Sequence, residues 1–201
     1  GYLSPRTKMV QVSLNNKNYE MIFQEKAVKE MLEHNKLRES AILESDESLL
    51  WKIRLKGLPS NTIFPRVVNK NWIKRNSINQ EIGLEGFKIF SKVILEAWNH
   101  SGEDKEITFS DLLLSNGELK SKRILSRYKA HIISSRSTHA LFNHNRRFYY
   151  DPISKALLPI YYDGNSKIRN LKKFNFKKNF KDRFLTRDIE TEDFNQAINQ
   201  I

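Results

Sequence analysis

Cysteine is absent from this chain of 201 residues, which excludes disulfide bonds, zinc sites built on thiolates and cysteine nucleophiles. Apolar stretches are short, and none approaches the ~18–20 residues of a membrane-spanning helix. No charged start followed by an apolar segment indicates a secretory signal peptide. These absences are compatible with a reducing compartment and favour a cytoplasmic protein. Because the chain begins with Gly1 rather than Met, we expect it to be a piece of a longer protein.

Glycine is also scarce, with 7 residues in the whole chain. No glycine-rich loop follows the pattern of a P-loop or of a dinucleotide-binding fold, and both classes are therefore disfavoured. The glycine-rich turn that covers ATP in most protein kinases is missing as well. A nucleotide site covered by a glycine-rich loop is therefore not expected.

Positive charge, in contrast, is plentiful. The 35 Lys and Arg residues outnumber the 23 Asp and Glu residues, which gives a formal net charge of +12 and a pI near 9.8. Such a field favours anionic partners, among them nucleic acid, anionic lipid, acidic proteins and nucleotide phosphates. The length suits one domain or a small two-lobed one with a core of its own.

Part of this charge is concentrated in the segment 167–184, where Phe residues alternate with basic ones. Lysines and aromatic rings in such a pattern can contact phosphates and stack on bases. The candidate nucleic-acid contacts are Lys172, Lys173, Lys177 and Lys178. The alternative is a solvated basic face whose Phe side chains pack on the core, because Phe is more often buried than exposed.

Hydrophobic periodicity and turn residues predict a mixture of strands and helices. We expect a hairpin over 9–23 with its turn at 15–18, and two short strands within 41–55 about an acidic turn at 44–47. A loop-rich stretch over 56–79 follows, anchored to the core by Trp72. Helices are predicted over 25–34, 84–98, 112–114, 118–134 and 188–201, the third of them capped by Ser110.

The most informative stretch is a second predicted hairpin over 146–162. Two runs of aromatic and branched residues flank the turn that begins at Asp151-Pro152. If the turn is centred on Ser154, residues equally far from it face each other, which places Asn145 beside Asp163 at the open end. An amide oxygen and a carboxylate held together there predict a two-ligand Mg²⁺ site. A hairpin whose ends carry ordinary turn residues is the alternative.

The same stretch resembles the hairpin of CotH-type kinases, an atypical protein-kinase-like family named for a spore-coat protein. The shared pattern is Asn-x-x-x-Tyr-x-Asp-Pro, followed by an apolar strand that ends in Pro-Ile-x-x-Asp. The matching residues are Asn145, Tyr149, Asp151, Pro152, Pro159, Ile160 and Asp163. The predicted hairpin over 10–26 is similar to the family's early hairpin, so the resemblance covers two patches of the chain.

The resemblance implies an α+β, protein-kinase-like, two-lobed fold. A small strand-rich lobe would span residues 1–58, and a larger, mainly helical lobe would span 59–201 with the hairpin at its metal site. It further implies a phosphotransferase that binds ATP and Mg²⁺ through Asn145 and Asp163 and acts on a protein or a small hydroxyl compound. The active-site ion pair of kinases would join Lys52 to Glu25 or Glu30, although ordinary surface pairing explains these charges equally well.

The chain departs from the kinase pattern at the catalytic base. An Asp normally stands five residues before the metal-binding Asn, and here that position is Ala140. His139 is the candidate replacement, because an imidazole titrates near neutral pH. After Asp163 the chain has Gly164-Asn165, where the family usually has a second acidic residue. An inactive pseudokinase scaffold, or a basic nucleic-acid-binding module, is therefore the alternative function.

Overall fold

The computed structural model describes residues 2–58, 60–100, 109–165, 189 and 191–199. Strands and helices are mixed along the chain, so the predicted α+β class is confirmed. The strands are β1 (Thr7–Leu14), β2 (Lys17–Gln24), β3 (Ile42–Asp46), β4 (Phe64–Val67), β5 (Arg147–Asp151) and β6 (Ala156–Ile160). The helices are α1 (Lys29–His34), α2 (Ser48–Arg54), α3 (Lys70–Ile73), α4 (Ser77–His100), α5 (Asp111–Leu114), α6 (Leu119–Ser134) and α7 (Thr191–Asn199). Two 3₁₀ helices, Thr138–Leu141 and Asn143–Asn145, lie between α6 and β5.

The larger sheet has the strand order β4-β3-β5-β6, with every neighbouring pair antiparallel. Its β3 strand is buried except at Asp46. β3 precedes Leu58, whereas β4 and β5 follow it, so one sheet combines strands from both predicted lobes. The kinase-like division at this point stays a prediction.

The early hairpin is confirmed as an antiparallel pair of β1 and β2. Its loop is shorter than predicted, because Leu14 already pairs with Lys17. Asn15 and Asn16 form the turn with φ angles of 50° and 60°, the left-handed conformation that a two-residue hairpin loop requires and that Asn tolerates.

Three of the predictions are wrong. The stretch 56–79, predicted to be loop-rich, contains β4, α3 and the start of α4. The segment that contains Lys52 is helical rather than a strand, because the Asp46 carboxylate accepts a hydrogen bond from the Ser48 backbone N–H at 2.9 Å and so ends β3 and begins α2. The first helix begins at Lys29 rather than Glu25, because Glu25 still belongs to the base of the early hairpin, where its backbone N–H donates to Arg6 at 3.0 Å.

The longer helices agree with the sequence. α4 contains the whole predicted span and extends it towards the N-terminus. α5 begins after Ser110, whose hydroxyl accepts from the Leu113 backbone N–H, and α6 begins after Glu118, whose carboxylate accepts from the Lys120 and Ser121 backbone N–H groups. None of the helices in the described part of the chain is long and apolar enough to cross a membrane.

α4 covers one face of the larger sheet. Phe90 packs on Phe148 of β5 with 5.4 Å between ring centroids, and on Phe109 with 5.8 Å. Trp72 is buried in the same cluster, as predicted. The Tyr150 side chain lies directly against Gly86 of α4, so the hairpin is held firmly from one side.

The second hairpin is confirmed, but its register is not the predicted one. Arg147 pairs with Ile160 and Asp151 with Ala156, which centres the turn between Ile153 and Ser154. The cause lies in the turn, where Asp151 accepts from the Ile153 backbone N–H at 3.1 Å and Lys155 adopts a φ of 54°. Asn145 and Asp163 are therefore not cross-strand partners, and strand pairing ends before it reaches them.

Candidate functional site

His139, Asn145 and Asp163 nevertheless meet at the open end of the β5–β6 hairpin. His139 lies in the first 3₁₀ helix after α6, and Asn145 ends the second, two residues before β5. Asp163 follows β6 with a φ of 46°, a left-handed conformation that turns the chain back towards His139. The three residues that the sequence singled out for metal and proton chemistry are thus brought together.

The imidazole of His139 lies between the other two residues. Its Nδ1 atom is 2.9 Å from Asn145 Nδ2, 2.9 Å from the backbone oxygen of Asp163 and 3.5 Å from Asp163 Oδ2. Asn145 is 6% exposed, whereas the side chains of His139 and Asp163 are 39% and 53% exposed. The buried amide therefore contacts His139, and solvent and solutes can reach the side chains of both His139 and Asp163.

The orientation of the Asn145 amide follows from one further hydrogen bond. Its Nδ2 donates to the backbone oxygen of His139 at 3.0 Å, and a carbonyl oxygen accepts only from a donor. The amide oxygen Oδ1 consequently points away from that carbonyl and receives no hydrogen bond from the residues that the structure describes. An amide oxygen and a carboxylate are both oxygen ligands that Mg²⁺ accepts.

The proton on His139 decides which neighbour its Nδ1 atom binds, because one ring nitrogen cannot donate and accept at once. A protonated Nδ1 donates to the Asp163 backbone oxygen and leaves the lone pair on Nε2, which lies 3.5 Å from Asn145 Nδ2. An unprotonated Nδ1 accepts from Asn145 Nδ2. The first arrangement gives an imidazole that can take up a proton at Nε2.

Ala140 has no room for a catalytic carboxylate. The residue is fully buried in a cluster with Tyr128, Ile132 and Leu141, and its backbone oxygen accepts from the Tyr128 hydroxyl at 3.3 Å. An acidic side chain at this position would lie in apolar surroundings, away from solvent. Ala140 is therefore part of the packing behind the site.

Aromatic rings that the sequence did not single out surround His139. Phe142 lies 5.4 Å from it in an edge-on arrangement, and His144 stacks on Phe142 with 5.8 Å between centroids. Trp51 of α2 contacts His144 edge-on, which brings this helix to the site. Burial lowers the pKa of His144, and Arg54 and His139 lower it further. Their spacing along the chain gave no sign of this cluster, because Trp51 comes from a distant element.

A cavity of about 270 Å³ is lined in part by residues that adjoin the site along the chain, and not by His139, Asn145 or Asp163 themselves. Its walls are mostly apolar and include Pro5, Ala27, Val28, Val68 and the ring of Tyr162, the residue before Asp163. The Arg147 guanidinium lies 3.9 Å from the centroid of the Tyr162 ring. Arg147 is held in turn by the buried Glu44, which also pairs with Arg66. The cavity therefore has one rigid cationic and aromatic wall.

The predicted kinase ion pair is not formed in the described ranges. Lys52 is exposed on α2, and no ion pair joins it to Glu25 or Glu30. Glu25 instead pairs with Arg6 at 2.7 Å, and the hydrogen bond from Arg6 lowers the pKa of Glu25. Glu25 does line the cavity, whereas Glu30 lies exposed on α1.

Two further predictions concern the Mg²⁺ ligands and the lysines of the segment 167–184. No group of three or more His, Asp or Glu side chains suited to a metal ion occurs within the described ranges, so Asn145 and Asp163 would need water or phosphate oxygens to complete a Mg²⁺ shell. The lysines Lys172, Lys173, Lys177 and Lys178 lie outside the described residues.

Comparison of the chain with protein-family models, curated proteins and solved structures found no match. The resemblance to CotH-type kinases therefore stays a prediction that rests on the motif residues themselves.

Proposed function

We propose that the chain is a kinase-like phosphotransferase domain of the CotH type, which uses ATP and Mg²⁺ to phosphorylate a protein or a small hydroxyl compound. The observation that carries this proposal is the convergence of His139, Asn145 and Asp163 on one imidazole nitrogen. The motif assigns metal binding to Asn145 and Asp163, and His139 is the candidate replacement for the base that the motif lacks here.

In this proposal, two residues bind the metal ion and a third accepts the proton of the substrate. Asn145 Oδ1 and the Asp163 carboxylate would hold Mg²⁺, which supplies positive charge to the phosphate oxygens as the phosphoryl group moves. In the tautomer that this step requires, the proton lies on His139 Nδ1, which donates to the Asp163 backbone oxygen. His139 Nε2 then accepts the proton of the substrate hydroxyl as that oxygen bonds to the γ-phosphorus and the bond from phosphorus to ADP breaks.

The neighbouring cavity suits the base of the nucleotide. Its volume of about 270 Å³ is below the ~300–1,000 Å³ of sites that enclose a drug-sized ligand, so it has room for a nucleobase rather than for a whole nucleotide. The apolar walls and the Tyr162 ring offer packing and stacking surfaces.

A thermal-shift measurement with ATP, with and without Mg²⁺, tests the proposal. Ligand at about 100 times its Kd adds ~2.7 kcal/mol of stability, which corresponds to a rise in Tm of roughly 5–10 °C for a chain of this size. We expect this rise for the unaltered chain only with Mg²⁺, and its loss in Asp163→Asn. Glu81→Gln, which changes an exposed carboxylate on α4, is the matched control and should retain the rise. The absence of any rise in the unaltered chain would contradict the proposal.

The fully buried Ala140 specifically favours a second candidate, a pseudokinase that binds nucleotide without turnover. This scaffold would show the same Mg²⁺-dependent rise in Tm and would produce no ADP above the buffer blank.

A different result is expected if the chain is a nucleic-acid-binding module. Replacing Lys172, Lys173, Lys177 and Lys178 by Glu would abolish a salt-dependent affinity for DNA or RNA, and Asp163→Asn would leave that affinity unchanged.

A further inference from the structure

The β1–β2 hairpin forms a two-stranded sheet of its own, separate from the four-stranded sheet. Its strands pair over their full length, from Thr7–Gln24 to Leu14–Lys17, and no residue of either strand is buried. A two-stranded hairpin by itself is marginally stable in water at best. A surface that covers one of its faces would therefore stabilise it.

The two faces of this hairpin differ in chemistry. Because side chains alternate along a strand, the register places one set of apolar residues on a single face. This apolar face consists of Val10, Val12, Leu14, Tyr19, Met21 and Phe23. The opposite face has one apolar pair, Met9 with Ile22, and is otherwise polar.

The apolar face is open to solvent. Leu14 is 60% exposed, Met21 is 51% exposed and Phe23 is 67% exposed. An exposed group of apolar side chains bordered by charged residues is a candidate interaction site.

Positive charge borders this face at both ends. Lys8 lies opposite Phe23 near the base of the hairpin, and Lys17 lies opposite Leu14 near its tip. The nearest acidic residue on the same side, Glu25, is neutralised by Arg6 at 2.7 Å. The border therefore attracts carboxylates on whatever covers the face.

We propose that the apolar face of the β1–β2 hairpin docks an amphipathic segment of a partner protein, in which apolar side chains are flanked by Asp or Glu. This inference does not depend on the proposed phosphotransferase activity.

A second copy of the chain fits this surface less well. Face-to-face packing of two hairpins would bring lysines together without a carboxylate between them. Eight residues per strand give a footprint of roughly 27 by 10 Å, well below the ~800 Å² per partner of a stable dimer. Nucleic acid is also disfavoured, because four of the six side chains are aliphatic and cannot stack on bases as aromatic rings do. The small footprint fits a short segment rather than a second folded chain.

Two labelled peptides test the proposal on the intact chain. Both have eight residues with Leu at alternate positions, and the remaining positions are Glu in one peptide and Lys in the other. Fluorescence anisotropy should show micromolar binding of the Glu peptide and at least tenfold weaker binding of the Lys peptide. The double variant Lys8→Glu/Lys17→Glu should reverse this preference, and Met21→Asp should abolish binding of either peptide.

Glu20→Gln, on the opposite face, is the matched control and should bind the Glu peptide as the unaltered chain does. Circular dichroism and urea unfolding verify that each variant is folded. Equal binding of the two peptides, or a preference that survives the double charge reversal, would overturn the proposal. Failure of the Glu peptide to bind would also overturn the proposal if the face proved to bind something else. That would be shown if Met21→Asp abolished a concentration-dependent dimer, binding to phosphatidylserine vesicles or binding to single-stranded DNA.

Discussion

The side-chain amide of Asn145 donates to the backbone oxygen of His139 at 3.0 Å, which ties the start of the hairpin to the preceding 3₁₀ helix. This bond makes Asn145 a positioning residue as well as a candidate metal ligand. The positioning role uses the amide nitrogen as a donor, and the metal-binding role uses the amide oxygen. Substitutions that change one of these atoms therefore separate the two roles.

Asn145→Asp is expected to destabilise the metal-free protein, although Asp is the stronger Mg²⁺ ligand. The substitution replaces the donor Nδ2 by an oxygen that faces the His139 backbone oxygen and repels it. Loss of a buried hydrogen bond and an unsatisfied acceptor cost about 1–3 kcal/mol of unfolding free energy. Urea unfolding measures this difference. A variant as stable as the unaltered chain would mean that the amide is oriented the other way.

His139→Gln tests the role of the imidazole as the base. General-base catalysis contributes typically ~10²–10⁴-fold, so we expect kcat for phosphoryl transfer to fall by that factor. The Mg²⁺-dependent thermal shift with ATP should persist, because the amide and carboxylate oxygens remain. Steady-state kinetics and thermal shift on the same preparation make the comparison. A variant with unchanged kcat would exclude His139 as the base.

Ala140→Asp should destabilise the protein and should not raise its activity. The methyl group is fully buried beside Tyr128, so a carboxylate here loses its hydration without gaining a partner, which costs several kcal/mol. Thr138→Asp, in the same 3₁₀ helix but exposed, is the control and should change the unfolding free energy by at most ~0.5 kcal/mol. Increased turnover in a folded Ala140→Asp variant would contradict this interpretation.

The sequence predicted most elements of the described fold correctly. Apolar spacing located α4 and α6, capping residues located α5, and turn residues located both hairpins. These features depend on neighbours along the chain, which a sequence displays directly. The exceptions were β4 and α3, which lie in the stretch predicted to be loop-rich, and α2, which was predicted as a strand. Asp46 was assigned to a turn between strands, but it ends β3 and accepts a hydrogen bond from Ser48 at the start of α2.

The sequence identified the residues of the site but did not predict how they are arranged. His139, Asn145 and Asp163 were singled out correctly as neighbours, but the predicted cross-strand pairing of Asn145 with Asp163 was wrong by one residue. The register depends on the conformation of Lys155 in the turn, which its identity does not specify. Trp51 and the Tyr162–Arg147 stack come from contacts between distant elements, and no local spacing reveals such contacts.

Two glycines of α4 should respond differently to alanine. A Cβ atom at Gly86 would lie 2.8 Å from the buried Tyr150 ring, whereas at Gly83 it would meet the flexible end of Ile73. Helix propensity favours Ala over Gly by about 1 kcal/mol at both positions. We expect Gly86→Ala to lower the unfolding free energy by ~1–3 kcal/mol through overpacking, and Gly83→Ala to be nearly neutral. Equal responses in urea unfolding would contradict this assignment of the packing.

Two histidines should make the protein less stable in mild acid. Burial lowers the pKa of both His131 and His144 from the ordinary value of 6.5, with Arg127 adding to the effect at His131. Between the folded and unfolded pKa values the unfolded state binds more protons, so the unfolding free energy falls as the pH drops through 6.5 and levels off below the folded values. The charges around His144 act in both directions, since Glu47 and Asp163 raise its pKa while Arg54 and His139 lower it, and burial is the largest effect.

His144→Gln should therefore flatten the dependence of unfolding free energy on pH in urea titrations between about pH 5 and 8. Substitution of the exposed His34 is the control, and a slope that His144→Gln leaves unchanged would exclude His144 as its source.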